Sequence, residues 1–286
     1  MRIAVARHHG RTGLWIKSGD GFVELAEVAI AIPGLAGLRD VGDLLAAGEK
    51  AMQEVAELTS GPGGVPLDQL DLLAPVLNPH AFVCVGRNYL EHIKEGAVDL
   101  PSYPYLFSKF SNALNGHLQP VRHHDITESL DYEGELAVVI GRAARRVPAD
   151  RAMENVAGYT ILNDVSGRDL QNRDAQWIRG KSLDTWAPLG PVFVTADEIP
   201  NPYSLRIETR VNGELRQNAA VSDMIFKIPE LIAFITQGIT LQPGDLIATG
   251  TPSGVGLGFD PPKWLHVGDR VDITIEPIGT LSSIVS

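Results

Sequence analysis

The stretch Asp131-Tyr132-Glu133-Gly134-Glu135-Leu136-Ala137-Val138-Val139-Ile140-Gly141 constrains this chain most, because it sets two carboxylates at the head of a continuously apolar strand. Leu136 to Ile140 is apolar at both alternating positions, so the strand must be covered on two faces rather than lie at a solvated edge. Side chains two apart on a strand share a face, with backbones about 6.6 Å apart, so Glu133 and Glu135 can converge on one point. At an effective dielectric near 20, like charges about 4 Å apart repel by roughly 4 kcal/mol, which calls for a cation or a shared proton. Glu-x-Glu is common on the solvent face of ordinary strands, but the apolar run behind this one sets its acidic end at a core boundary. A third acid, Asp164, lies in the β-rich run Gly158-Tyr159-Thr160-Ile161-Leu162-Asn163-Asp164-Val165, which suits a neighbouring strand. Three carboxylates with no nearby Cys or paired His point to a hard ion, Mg²⁺ or Mn²⁺, with Ca²⁺ less suited.

A chain of 286 residues that is 44% hydrophobic can bury a substantial core, enough for one large domain and a small one. Its net charge of −11 argues against non-specific binding to nucleic acid or anionic membrane, since both need basic patches. An anionic substrate must therefore meet local Arg and Lys. The single cysteine, Cys84, lies inside Ala81-Phe82-Val83-Cys84-Val85 and reads as a small core residue, so no internal disulfide is possible. Arg2 and Arg7 have no apolar segment behind them, and no run reaches 18 uncharged apolar residues, which predicts a cytoplasmic protein.

Residues 2–7 and 13–25 read as short strands, with Lys17-Ser18-Gly19-Asp20-Gly21 as a hairpin turn. Asp40 to Leu58 reads as one helix, stopped by Ser60-Gly61-Pro62-Gly63-Gly64. That cluster is the natural linker, dividing a small α+β domain at 1–70 from a catalytic domain at 71–286. The second part opens with apolar runs at Leu72 to Leu77 and Ala81 to Val85, and the latter leads into Gly86-Arg87-Asn88-Tyr89-Leu90-Glu91-His92-Ile93-Lys94-Glu95-Gly96. Asn88 is placed to cap a short helix ending at Gly96, on which His92 and Glu95 stand three apart on one face. A carboxylate beside an imidazole orients it and raises its basicity, as a water-activating base requires; the plainer alternative is an exposed surface pair. Asn212-Gly213 marks an ordinary hairpin turn. The run Thr249 to Gly256 lacks Gly-Lys-Ser/Thr and is no P-loop; its glycines suit backbone amides approaching a substrate carboxylate.

Several ordered motifs together resemble the fumarylacetoacetate hydrolase superfamily over residues 72–286. They are Val85-Gly86-Arg87-Asn88-Tyr89 with His92 and Glu95, Asp131-Tyr132-Glu133-Gly134-Glu135, and Asn163-Asp164-Val165-Ser166-Gly167-Arg168-Asp169-Leu170-Gln171. Gly180-Lys181-Ser182-Leu183-Asp184-Thr185, Pro188-Leu189-Gly190-Pro191 and Thr249-Gly250-Thr251-Pro252-Ser253-Gly254-Val255-Gly256 continue the series. The resemblance implies a β-rich α+β fold, a mixed β-sandwich roll behind a small variable N-terminal α+β domain, usually homodimeric and holding Mg²⁺ or Mn²⁺. It makes Glu133, Glu135 and Asp164 the metal ligands, and His92 and Glu95 the dyad of a lid over bound substrate. Lys181 matches the family's active-site lysine, and Arg87, Tyr89, Arg168, Gln171 and Thr251 match positions at the substrate. Lys109 resembles another family lysine, although Phe110 stands where many relatives have Pro.

The function so implied is metal-assisted hydrolysis of a carbon–carbon bond in a β-diketo acid or acylpyruvate, of the kind met in aromatic catabolism. His92 would take a proton from water, and Lys181 would hold the developing oxyanion. Decarboxylation of oxaloacetate or isomerisation of a hydroxy-diene dioate would use the same enolate chemistry without attacking water. A non-catalytic metal-binding or assembly protein is the alternative from another class, and it leaves His92, Glu95 and Lys181 idle.

Overall fold

The computed structural model describes residues 1–30, 32, 34–58, 63–96 and 99–286. A large mixed sheet runs in the order Gly21–Glu24, Arg11–Ser18, Arg2–His8, Ala187–Thr195, Val156–Asn163, Gly134–Ile140, Leu246–Ala248, Phe82–Gly86, Tyr105–Ser108. Neighbours along this path are antiparallel except Leu246–Ala248 with Phe82–Gly86. A second sheet, in the order Glu214–Ala220, Arg206–Val211, Arg270–Ile275, Gly279–Val285, Pro120–Val121, packs against one face of the first.

Alternation along Gly134–Ile140 explains why the sequence is apolar at every position. Leu136, Val138 and Ile140 join the cluster shared with Ile207, Ile273 and Ile275 of the second sheet. Ala137 and Val139 point the other way, into a cluster with Phe82, Cys84 and Leu162 that also takes in Val41, Leu44 and Val55. Both faces of this strand are buried throughout, as the run of apolar residues requires. Glu135 shares its parity with Ala137 and Val139, so it emerges beside Cys84 at the strand's open end. The fold is thus β-rich α+β, and among the described residues no helix is long and apolar enough to cross a membrane.

Residues expected to form a separate N-terminal unit contribute three strands to the large sheet, through Arg2–His8 paired with Ala187–Thr195, and helices to its second cluster. Ser60, Gly61 and Pro62 of the expected linker lie outside the described residues; beyond them Val65 exchanges two backbone hydrogen bonds with Phe22.

The single helix expected over Asp40 to Leu58 is two helices, Val41–Ala46 and Glu49–Glu57. Gly48 separates them at φ +94, a left-handed backbone that an apolar-periodicity count does not detect. Asp40 is buried and uses both carboxylate oxygens: one accepts from Asp43 N at 2.8 Å as a helix cap, the other from Leu77 N at 2.7 Å. Of the expected run Leu72 to Leu77 only Asp71–Leu73 is strand, pairing with Arg2–His8.

Because Asp40 satisfies a helix terminus and a distant amide together, Asp40→Ala should lower the unfolding free energy by about 2 kcal/mol. Urea denaturation checks this; a loss below about 0.5 kcal/mol, the scale of a neutral surface change, contradicts it.

Candidate active site

Two adjacent strands deliver the acids. Gly134 of one pairs with Asn163 of the other, and their flanking residues are locked together: Asp164 N donates to Glu133 O at 2.9 Å, and Glu133 N donates to the Asn163 side-chain oxygen at 3.1 Å. Glu133, Glu135 and Asp164 are all buried, each offering one oxygen within 4.8 Å of the others. This is the convergence expected from their spacing.

Three buried cations answer these charges. Lys181, at the end of helix Ile178–Lys181, donates to Glu133 Oε2 at 2.8 Å and Asp164 Oδ2 at 2.9 Å. Lys109 donates to Asp164 Oδ1 at 2.6 Å and to the Val165 carbonyl at 3.1 Å, so the departure at Phe110 does not displace it. Arg168 pairs through Nη1 with Glu133 Oε1 at 2.6 Å and through Nε with Asp131 Oδ2 at 2.8 Å. Its Nη1 also donates to Gln171 Oε1 at 3.0 Å, while its buried Nη2 has no partner.

The protonation states follow from this wiring. Burial opposes ionisation of Glu133, but Lys181, Arg168 and His92 outweigh it and hold its carboxyl down at about 2. Burial likewise works against the Lys181 ammonium, yet Asp164 and Glu133 prevail and raise its pKa, so it stays charged. Lys109 is pulled below its usual range by burial, assisted by Lys181, although Asp164 resists. Glu135 is the acid without a cation partner among the described residues: its one donor there is Gly250 N at 2.9 Å, and burial with the Asp164 and Glu133 charges pushes its carboxyl well up. A buried carboxylate in that position, beside two others, is an all-oxygen donor set suited to a divalent cation. Counting Asp131, Glu133, Glu135 and Asp164 against Lys109, Arg168 and Lys181, four minus three leaves one formal negative charge. A divalent ion would turn this into one net positive charge, favourable to an anionic substrate.

The second expected centre faces the same space. On helix Leu90–Glu95, His92 Nδ1 lies 3.0 Å from Glu95 Oε2, and Glu95 Oε1 accepts from Gly254 N at 2.8 Å. This leaves His92 Nε2 free among the described residues. Both side chains are largely buried, 17% and 15% exposed, which removes the reading of a surface pair. A cavity of about 150 Å³ gathers His92, Glu133, Glu135, Arg168, Lys181 and Arg87 along its walls, with Gln171 and Thr251 beside them. Arg87 adopts φ +59 and has no carboxylate partner among the described residues; its guanidinium sits 5.3 Å from the Tyr105 ring centre and 5.7 Å from that of Trp177.

Some sequence expectations place residues differently. Asn88 does not cap the helix, whose first turn follows Tyr89; its amide instead donates to Phe226 O and Thr249 O and accepts from Phe226 N, fastening the loop to distant segments. Tyr89 is packed into the core and does not line the cavity. The Thr251 hydroxyl donates to Gly134 O and accepts from Gln217, so it braces the acidic strand. Amides of the Gly-rich run approach carboxylates of the protein itself rather than standing free for a ligand: Gly250 N serves Glu135, Gly254 N serves Glu95, and Gly256 N and Leu257 N serve Asp131. Sequence reasoning missed Asp131, which holds Arg168, and Phe107 and Trp177, which also line the cavity. Trp177 stands four residues before Lys181, a helical spacing that was the available signal.

Comparison with known proteins now fixes the family. The family described as "Fumarylacetoacetate (FAA) hydrolase C-terminal" matches residues 81–286, and the chain belongs to the fumarylacetoacetate hydrolase superfamily. A Bacillus subtilis protein named oxaloacetate tautomerase YisK is 52% identical over 221 residues, 76% of this chain and 73% of that protein. A fumarylacetoacetate hydrolase from Exiguobacterium antarcticum superposes with a TM-score of 0.83 at 36% identity, covering 100% of this chain and 99% of the other. A 2-hydroxyhepta-2,4-diene-1,7-dioate isomerase from Mycobacterium marinum superposes with a TM-score of 0.76 at 35% identity, covering 100% and 98%.

Mn²⁺ titrated into metal-free protein should bind at one site per chain by calorimetry, and Glu135→Gln should weaken it roughly tenfold or more. His92→Ala should leave it unchanged. Undiminished affinity in Glu135→Gln contradicts the acid cluster as the binding site.

Proposed function

We propose that this chain catalyses keto–enol tautomerisation of a short 2-oxo dicarboxylate such as oxaloacetate, with Mg²⁺ or Mn²⁺ held by Glu133, Glu135 and Asp164. The observation that carries this reading is that His92 Nε2 and the Arg87 guanidinium, both without a carboxylate partner among the described residues, share a small cavity with Glu133 and Glu135. The names of the B. subtilis and M. marinum proteins support it, since tautomerisation and isomerisation both move a proton and keep the carbon skeleton. Size supports it too: the space of about 150 Å³ is of the order that holds benzene in other proteins, which suits a short dicarboxylate better than a long acyl tail.

When bound, the ion supplies Lewis-acid polarisation of the 2-oxo group. The chain's own groups do the rest. Arg168, through its unpaired Nη2, and Arg87 bind the two carboxylates, and their separate placement orients the substrate between them. Lys181 remains an ammonium and donates a hydrogen bond where negative charge develops on the 2-oxygen. His92 Nε2 removes a proton from the carbon between the ketone and the distal carboxylate, while Glu95 stabilises the imidazolium from the Nδ1 side. The proton then returns from His92 to the 2-oxygen, and the product is an isomer of the substrate. Carbon–carbon hydrolysis is the second reading, favoured by the dyad's suitability for activating water and by the name of the E. antarcticum neighbour. It differs in releasing two fragments.

His92→Ala should slow enol-to-keto conversion of oxaloacetate, followed by enol absorbance, by about 100-fold or more, and Glu95→Gln should do so more mildly. A wild-type rate in His92→Ala overturns the assignment. Assembly is tested separately: a homodimer should scatter light with twice the 30.8 kDa chain mass, and a monomer at micromolar concentration contradicts it.

A further inference from the structure

We propose that Trp177, with Phe107, is the partition that sets the length of substrate this site accepts. The two rings are the shared wall of two spaces. On one side lies the cavity of about 150 Å³ lined by Glu133, Glu135 and His92. On the other lies an open groove of about 810 Å³, floored by apolar groups including Phe82, Phe110, Ile178 and Ile239. Phe107 and Trp177 line both, and among the described residues no other does.

The partition is braced from several directions. The Trp177 ring lies 4.7 Å from that of Tyr105 and meets that of Phe107 edge-on at 5.3 Å. It packs so closely on the end of strand Phe82–Gly86 that a Cβ at Gly86 would sit 2.8 Å from it, which leaves glycine as the residue that fits there. Trp177 immediately precedes the helix that carries Lys181, and Lys181 Nζ lies 5.1 Å from the centre of the Phe107 ring, so the wall and the lysine are positioned together. Trp177 also lies against Arg87, a cation with no carboxylate partner among the described residues. One ring therefore closes the site to a long apolar tail and holds a guanidinium where a short distal carboxylate would end. Removing it should join the cavity to the groove and let an acyl chain lie over Phe82 and Ile239. Trp177 is in this sense a specificity-determining residue, and the assignment rests on reading the cavity as the site for a 2-oxo acid.

The test measures binding rather than turnover alone. Straight-chain 2,4-dioxo acids with acyl tails from one carbon to about six are titrated by calorimetry into Mn²⁺-loaded wild type, Trp177→Ala and Trp177→Phe. In wild type and Trp177→Phe, affinity should fall as the tail lengthens. In Trp177→Ala each added methylene should instead gain up to roughly fourfold, so that the longest acid binds at least tenfold tighter than to wild type. The same chain-length profile in Trp177→Ala as in wild type overturns the proposal. If Trp177→Ala does not fold, Trp177→Leu decides on the same criterion. Oxaloacetate turnover by the wild type is measured alongside. Its absence sinks the tautomerase reading, whereas the length profile judges the partition independently.

Discussion

Three carboxylates forced into one buried corner are the constraint on which the rest of this structure depends. Like charges about 4 Å apart cost roughly 4 kcal/mol even at an effective dielectric near 20, so Glu133, Glu135 and Asp164 cannot be held together by their own strands alone. The chain answers from every side. Lys109 arrives just beyond the edge strand Tyr105–Ser108, Arg168 from the start of one short helix and Lys181 from the end of the next. All three are buried, and two of the three acids are satisfied by them. Breaking one such pair strands a buried charge, which is why these contacts bind distant segments together so firmly.

The Gly-rich run 249–257 extends the same logic to the backbone. Its amides are turned inward to Glu135, Asp131 and Glu95, so one loop holds an acid of the cluster, the partner of Arg168 and the partner of His92 at once. Gly254 has φ +98, and a Cβ there would lie 1.9 Å from Arg216 O, so the loop tolerates nothing larger. Tyr132, next to Glu133, donates to the Gly254 carbonyl at 2.7 Å. His92–Glu95 and the acid cluster are therefore joined through one loop, which sets the His92 imidazole on the cavity lined by Glu133 and Glu135.

Much of this site was legible in the sequence because it rests on local periodicity. Alternation put Glu133 and Glu135 on one side of a doubly covered strand, and the spacing of His92 and Glu95 put them on one helix face; both patterns need only neighbouring residues. The expectations that differed depend on contacts across the chain. Asn88 has the composition of a cap, but Phe226 and Thr249, more than 100 positions away, take its side chain. The glycines near 250 resembled a ligand cradle because nothing local announces that Glu95, Asp131 and Glu135 would fill it. Gly48 broke a helix that apolar spacing ran straight through, and Trp177 carried no signal beyond its distance from Lys181.

The chemistry proposed for this wiring moves a proton and leaves carbon–carbon bonds intact. Nuclear magnetic resonance of oxaloacetate in ²H₂O with the Mg²⁺-loaded protein tests it most directly. The protons on the carbon beside the ketone should exchange for deuterium faster than with Mg²⁺ alone, with the four-carbon skeleton retained. Exchange no faster than in the protein-free control, or release of pyruvate keeping pace with exchange, would contradict it.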